Sequence, residues 1–205
     1  FKKPGLFFYR FMIGDTVIKP DGRDFWQQTV YDRTLKAPEG FAGGVIYQIF
    51  PDRFYQAGNC KNPYPDRQIV ADKTKLPEYD NLERHYAVHS NDYYCGNLAG
   101  ITAKLDYLAS LGVTILYLNP IFEAHSNHRY NTADYLKIDP LLGDEKDFIE
   151  LANEAKKRGI KIILDGVFSH TGSDSRYFDA KRYGEKGAVN DQNSPYFLWY
   201  SFRHW

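Results

Sequence analysis

The sequence predicts an α/β fold in which parallel strands alternate with amphipathic helices behind a short antiparallel region. The first observation is an almost continuous aliphatic run at residues 160–164, which is typical of a parallel strand buried on both faces. The second is that apolar residues recur at helical spacing ahead of two such strands, and the third is a glycine between each helix and its strand. Parallel sheets bind ligands at the carboxyl ends of their strands, so polar residues that follow the strands are the candidate site residues.

Residues 1 to about 36 predict a different arrangement, because apolar and polar side chains alternate there. The segments GLFFYRF and DFWQQTVYD favour strands, and antiparallel pairing is the arrangement predicted for them. Residues 37–44, APEGFAGG, predict a short linker to the first parallel strand. The turn residues that separate the antiparallel segments are Gly14, Asp15, Asp21 and Gly22.

Two helices are predicted after that linker. The first ends at Gly112, and the second has Asp144 at its predicted N-cap and Gly159 at its end. Strands at 113–118 and 160–168 follow the two glycines directly, so the αβ loops are tight and the βα loops are long. The apolar faces consist of Leu98, Ile101, Leu105, Leu108 and Leu111 in the first helix and Phe148, Leu151, Ala152 and Ala155 in the second.

Asp165 and His170 stand where the aliphatic run ends, within LDGVFSHTGS at residues 164–173. One interpretation is that Asp165 caps a turn and His170 is an ordinary core histidine. The other is that both side chains contact a ligand at the end of the strand. These residues taken alone leave both interpretations open.

Four segments resemble the alpha-amylase superfamily, the family 13 glycoside hydrolases, in their order and their spacing. The similarity is to the neopullulanase, cyclomaltodextrinase and maltogenic amylase branch. DGVFSH at 165–170 resembles the DxVxNH motif that ends the third barrel strand, with Ser169 in place of the motif's Asn. The other segments are VIYQIFPDRF at 45–54, CGNLAGITAKLDYLASLGVTILYLNPIF at 95–122, and RYNTADY at 129–135, in which Asn131 replaces an Asp usual in the branch.

The resemblance implies a partial TIM (β/α)8 barrel, consisting of the first three strands and the start of the loop domain after strand 3. The tail of an N-terminal β-sandwich would precede it. The implied domains are 1–40 for the sandwich and linker, 41–170 for three β/α units, and 171–205 for the loop domain. A closed barrel of this type takes roughly 250 residues. We therefore expect the chain to be part of a longer enzyme.

The resemblance assigns substrate binding to Tyr130, His170 and Asp165. Tyr130 would stack under the sugar ring beside the scissile bond, His170 would bind hydroxyls of that ring, and Asp165 would order the strand end. The alternative for Tyr130 is an ordinary buried tyrosine. The superfamily takes its catalytic acids from the fourth, fifth and seventh strands, so no catalytic residue is assigned in this sequence.

Charge and hydropathy favour a neutral partner. The 26 basic and 26 acidic residues balance, which argues against nucleic acid, and no apolar run is long enough to span a membrane. The resemblance implies an α-glucan oligosaccharide as the partner, and a homodimer of the full-length protein as one arrangement. His125 and His128 are three residues apart but lie among loop-forming residues, which favours solvated side chains over metal ligands. The same holds for the polar stretch around His85 and His89.

Calcium is the one cofactor that the resemblance implies. Its site in this branch would correspond to Asn59, Asn62, the carbonyl of Cys95, and Asn97. Amides stand here where the family has acids, which lowers the expected affinity for calcium because carboxylates supply much of it. Cys60 lies in a stretch that adjoins Cys95 in the family's fold, so a disulfide between them could substitute for a metal. Ser169, in place of the motif's Asn, argues against the family's other calcium site.

The implied parent is a retaining α-glucan hydrolase that cleaves α-1,4 bonds, with α-1,6 bonds as a further candidate. Its substrates would be starch-derived oligosaccharides, cyclodextrins or pullulan. Retaining glycosidases need two carboxyl groups about 5 Å apart. Because the resemblance places these groups on strands beyond the third, this chain alone is expected to be inactive. Two alternatives remain open, a glucanotransferase of the same superfamily and a non-catalytic α-glucan-binding protein. The sequence also leaves open the chain length of the substrate and the localisation.

Overall fold

A computed structural model describes residues 3–32, 36–76, 90–180 and 186–203. The chain divides into two compact units, Phe1–Gly43 and Gly44–Trp205. No helix among the described residues is both long and apolar enough to cross a bilayer.

The first unit contains antiparallel strand pairs, which confirms the prediction from its alternating pattern. The first strand pairs with the fourth and the second with the third. Gly14 has φ of 58°, a left-handed conformation that suits the tight turn between the second and third strands. The strands are β1 (Gly5–Tyr9), β2 (Phe11–Ile13), β3 (Thr16–Ile18) and β4 (Trp26–Val30).

The second unit follows the predicted strand-and-helix order and adds short elements within its long loops. Its first elements are β5 (Ile46–Ile49), α1 (Pro51–Phe54), β6 (Gln68–Ile69) and β7 (Asp92–Tyr93). There follow α2 (Leu98–Ala103), α3 (Leu105–Ser110), β8 (Ile115–Leu118), β9 (Phe122–Ala124) and β10 (Thr132–Ile138). The last are α4 (Glu145–Lys157), β11 (Lys161–Leu164) and a 3₁₀ turn at Phe197–Trp199.

Three parallel strands form the sheet of the second unit, in the order β11-β8-β5. Leu118 is in register with Leu164 on one side and with Ile49 on the other, so the carboxyl ends of the strands lie at one edge. The prediction of a third strand buried on both faces is wrong, because all of β11 is only half-buried. The reason is its position at an edge of the described sheet, whereas the central β8 is buried at three of its four residues.

The helices build the core against that sheet. The predicted first helix is divided at Lys104 into α2 and α3, yet its apolar face is intact except for Leu111, which is half exposed. Asp144 caps α4 in a capping box with Asp147, as its position predicted. The core consists mainly of Ile49, Leu98, Ile101, Leu105, Leu108, Leu116, Leu118, Leu142, Leu151 and Ala155.

The loop after β8 contains a β-hairpin that sequence analysis did not predict. β9 and β10 pair antiparallel with two irregularities in register. β9 has only three residues, too few to show an alternating pattern. The connection between these strands, residues 125–131, carries Tyr130 and lies beside the edge of the sheet where β8 and β11 end.

Candidate functional site

The three predicted substrate-binding residues lie together at the carboxyl end of the sheet. The hydroxyl of Tyr130 donates a hydrogen bond to Oδ2 of Asp165 over 2.7 Å. Nε2 of His170 lies 2.9 Å from the carbonyl oxygen of Tyr130, and because that oxygen can only accept, Nε2 donates. In this arrangement Tyr130 is 36% exposed, and His170 beside it is also exposed.

The end of β11 explains where the Asp165 carboxylate lies. The backbone N–H of Asp165 donates to the carbonyl oxygen of Leu118 over 3.1 Å, which continues the parallel pairing one residue beyond the strand. Asp165 also raises the pKa of Tyr117 on the neighbouring β8, chiefly through its polar interaction with that phenol. Burial, and then Asp165, raise the pKa of Tyr130 to about 12. Both phenols are therefore protonated near neutral pH and can donate to the carboxylate.

The 125–131 connection is more buried than the sequence predicts. Ser126, Asn127 and Arg129 lie in a loop, as predicted, but they are buried, and His128 is half-buried, so the prediction of a solvated side chain is wrong for His128. The physical reason is the Arg129 side chain, which reaches inward to a buried carboxylate. His125 is partly exposed, with Nε2 3.5 Å from Asp66. His85 and His89 lie outside the described residues.

A buried ion cluster anchors the hairpin that carries Tyr130. Nη1 and Nη2 of Arg67 each lie 2.8 Å from an oxygen of Asp139, and Nε of Arg129 lies 3.1 Å from Oδ2. Burial alone would raise the pKa of Asp139, but Arg129 and Arg67 together hold it below its usual value. Arg129 precedes β10 and Asp139 follows it, so the pair ties both ends of that strand. Sequence reasoning missed the cluster.

An aromatic cavity of about 1060 Å³ adjoins His170. Tyr177 stacks on Trp199 with ring centroids 5.3 Å apart and on Tyr135 with centroids 5.5 Å apart. Hydroxyl groups of Thr171 and Tyr200 hydrogen-bond to each other at 2.8 Å in the same region. Flat rings together with hydroxyl groups suit a neutral, polyhydroxylated ligand. Aromatic residues make up 17% of the sequence, but core packing also explains that content, and it does not locate a cavity.

The two cysteines form a disulfide between Cys60 and Cys95, which confirms the pairing hypothesis. Cys95 is fully buried and packs with Tyr93 and Leu141. The bond joins the loop after α1 to the segment that leads into α2. Those are the two stretches in which calcium ligands were expected.

The expected calcium ligands do not fit the ion well. Oδ1 of Asn97 accepts from the N–H groups of Gly100 and Ala57 at 2.7 and 3.2 Å, so it caps α2 and holds the preceding loop. Oδ1 of Asn62 accepts from the N–H of Tyr64 at 3.2 Å. Asn59 is exposed, and none of the four residues supplies a carboxylate. Within the described ranges, no group of three or more His, Cys, Asp or Glu residues could hold a metal ion.

Comparison with known proteins gives the same family as the motifs. The model of the alpha-amylase catalytic domain matches residues 48–204. Amylopullulanase from Thermoanaerobacter thermohydrosulfuricus is 43% identical over 208 residues, which cover 89% of this chain and 14% of that protein. Neopullulanase 2 from Thermoactinomyces vulgaris is 43% identical over 155 residues, covering 75% of this chain and 24% of that protein.

A solved structure shares the fold as well. Cyclic alpha-maltosyl-(1→6)-maltose hydrolase from Arthrobacter globiformis, in complex with maltose, matches with a TM-score of 0.66 and 34% identity. The match covers 82% of this chain and 34% of that one. Three parallel strands, with helices between them and polar residues at their carboxyl ends, define an α/β protein. The chain belongs to the alpha-amylase family through the catalytic domain, and it spans about a seventh to a third of the relatives named here.

Proposed function

We propose that this chain supplies the sugar-binding part of an α-glucan hydrolase, acting on α-1,4 bonds of starch-derived oligosaccharides, cyclodextrins or pullulan. In this proposal Tyr130 stacks against a glucose ring and His170 binds hydroxyls of the same ring. Asp165 accepts a hydrogen bond from the Tyr130 hydroxyl and thereby orients the ring. α-1,6 bonds are a second candidate linkage.

One observation carries the proposal, namely the convergence of Tyr130, Asp165 and His170 at the carboxyl edge of a parallel sheet. An exposed aromatic face beside hydrogen-bonding groups provides both kinds of contact that a pyranose ring needs. The sequence carries no net charge, which favours a neutral ligand over a phosphorylated or anionic one. The names of the relatives, amylopullulanase and neopullulanase, agree with an α-glucan.

The proposed reaction retains the anomeric configuration and uses two carboxyl groups that this chain does not contribute. A retaining glycosidase forms a covalent glycosyl intermediate on one carboxylate while the other group protonates the leaving oxygen. Asp165 already accepts a hydrogen bond from Tyr130 and is proposed as a positioning residue. In the proposed enzyme, the three β/α units are part of a (β/α)8 barrel, and the catalytic acids come from its further strands. The 205-residue chain alone is then inactive.

Binding is tested by calorimetric titration of the chain with maltoheptaose, and cellohexaose serves as the β-linked control. We expect maltoheptaose to bind and cellohexaose not to bind. The variant Tyr130→Ala should weaken binding of maltoheptaose about fivefold, the loss expected for one aromatic contact. Tyr107→Ala is the matched control, because Tyr107 is an exposed tyrosine on α3 outside the site. Equal binding by both variants would refute the stacking role.

The reaction is tested on the full-length protein that contains this chain. Chromatography of products from maltoheptaose should show shorter glucans. Their rate of formation should equal the rate at which new reducing ends form. Longer glucans without new reducing ends would indicate the alternative, a glucanotransferase. Binding without any change in the sugar would indicate the other alternative, a non-catalytic α-glucan-binding protein. Sedimentation of the same sample tests the homodimer.

A further inference from the structure

His128 lies directly against Tyr130, the proposed sugar-stacking residue. Its ring stacks on that of Tyr130, with centroids 5.9 Å apart and planes 30° apart. Nδ1 of His128 lies 3.0 Å from the backbone nitrogen of Tyr130. The same histidine therefore touches both the backbone and the ring of this tyrosine.

The hydrogen bond fixes the form of the imidazole. The backbone N–H of Tyr130 can only donate, so Nδ1 accepts and, in the neutral ring, the proton is on Nε2. Oγ of Ser126 lies 3.1 Å from the same Nδ1. Burial, followed by the nearby Arg129 charge, lowers the pKa of His128, so the neutral form is favoured near pH 7.

The backbone between the two rings explains why they face each other. Arg129 has φ of 61°, a left-handed conformation that residues with a side chain rarely adopt. The backbone N–H of Arg129 bonds to Oγ of Ser126 at 3.2 Å, and its guanidinium is held by Asp139. This turn brings residues 128 and 130 to the same side of the chain. The imidazole is thus held by buried neighbours, whereas Tyr130 itself is about one-third exposed.

We infer that His128 is a positioning residue, which orients the ring of Tyr130 for stacking on a glucose unit. Resting on the proposed function, this role acts through Tyr130 and requires no contact between His128 and the sugar. The Asp165 carboxylate fixes the hydroxyl end of the tyrosine. His128 fixes the backbone and one face, so the other face is left for the ligand.

Three variants of the full-length protein separate the two contacts. His128→Ala removes both the acceptor and the ring. His128→Asn places an amide oxygen near the position of Nδ1 and keeps the acceptor, while His128→Phe keeps a ring without an acceptor. Steady-state kinetics on maltoheptaose, with calorimetric binding of the same sugar, gives the readout. Thermal melting measures how much folded protein each variant contains.

We expect His128→Ala to raise KM about fivefold with kcat within twofold of the wild type, because a stacking contact acts on bound substrate and transition state alike. His128→Asn should recover most of the loss. In a Tyr130→Ala background, His128→Ala should add less than twofold, because its effect passes through the missing ring.

Other outcomes overturn the inference. It is wrong if His128→Asn is as impaired as His128→Ala, or if kcat of His128→Ala falls while its KM is unchanged. It is also wrong if the effects of His128→Ala and Tyr130→Ala on KM are additive in the double variant. Failure of the proposed function is a separate result, in which wild-type protein and Tyr130→Ala bind maltoheptaose equally or not at all. Should His128→Ala not fold, His128→Phe takes its place as the variant without the hydrogen-bond acceptor. Equal impairment of His128→Asn and His128→Phe would then overturn the inference.

Discussion

Individual side chains restrain Tyr130 from several directions. The Asp165 carboxylate, which follows β11, holds the phenol from one end. The imidazole of His128 lies on one side, and that of His170 bonds to the carbonyl oxygen of the same tyrosine. The proposed substrate contact is therefore a ring with little freedom to turn.

Tyr130→Phe separates stacking from hydrogen bonding. The variant keeps the ring but loses the Asp165 contact that directs it, so we expect maltoheptaose to bind about two- to threefold more weakly than to the wild type and more tightly than to Tyr130→Ala. It loses the bond to Asp165, so the free energy of unfolding should fall by about 1 kcal/mol. Calorimetry and urea denaturation measure the two effects. A large loss of binding with unchanged stability would show that the hydroxyl itself contacts the sugar.

His128 should make stability depend on pH. Its pKa in the folded chain lies below the unfolded value of about 6.5, mainly because of burial. The corresponding stability is fully present above that unfolded value and is lost as the pH falls through the folded pKa. Urea midpoints between pH 8 and pH 5 should fall more for the wild type than for His128→Asn. Parallel pH curves for the two proteins would contradict this.

Motif residues were predictable from sequence, but their supporting partners were not. Asp165 and His170 follow an aliphatic run, so their position at a strand end could be inferred from local pattern alone. Arg67 and Asp139 are 72 residues apart, and the local sequence of each is compatible with an exposed charge. Only the folded chain brings them together. The burial of His128 has the same origin, because it depends on where Arg129 points.

At the scale of elements, two devices hold the start of α2 against the preceding loop. One is the Cys60–Cys95 disulfide, and the other is the side chain of Asn97, which bonds to both N–H and carbonyl groups of that loop. Gly100 allows the close approach, because a Cβ there would lie 1.9 Å from the carbonyl oxygen of Tyr55. The contact requires a residue without a side chain.

Reduction of the disulfide should destabilise this region, whereas removal of calcium should not. We expect the double variant Cys60→Ser with Cys95→Ser to lower the free energy of unfolding by about 2–4 kcal/mol. EDTA should leave the melting temperature of the wild type unchanged, since amides and a disulfide take the place of acidic ligands. Differential scanning calorimetry measures both. A fall in melting temperature with EDTA, reversed by calcium, would show that a calcium site exists.

Gly100→Ala tests the close packing of α2 on the loop. The added methyl group must displace backbone, so we expect a loss of about 1–3 kcal/mol in the free energy of unfolding. Ala103→Ser is the control, because Ala103 is exposed on the same helix and should change stability by less than about 0.5 kcal/mol. Equal stabilities of the two variants would contradict the packing described here.

Long, periodic elements were predictable and short ones were not. The capping box at Asp144, the glycines after the helices and the parallel strands all have local signals, and the structure contains each of them. The division of the first helix at Lys104 has no such signal. The hairpin of β9 and β10 is anchored by the buried ion cluster of Arg67, Asp139 and Arg129, which forms only in the folded chain.

At the scale of the whole molecule, the described surface exposes several large apolar side chains. Leu136 is 85% exposed and Leu198 is 92% exposed. In the three-stranded sheet, β5 and β11 each have one edge without a partner strand among the described residues. Apolar patches and open strand edges favour association.

The isolated 205-residue chain should therefore associate at high concentration. We expect light scattering to show a mass above 23.8 kDa that rises with concentration. Replacing both leucines, Leu136→Ser with Leu198→Ser, should shift that rise to higher concentration. A mass of one chain at all concentrations, with or without the substitutions, would refute the expectation.

The ion cluster of Arg67, Asp139 and Arg129 has a consequence for ligand encounter. It ties down both ends of β10, and Arg129 itself turns the backbone beside Tyr130. The connection is thus preorganised by folding, and its conformational entropy is lost before the proposed ligand arrives. Docking then resembles the meeting of two rigid surfaces, whose rate depends on diffusion and on desolvation of the aromatic face.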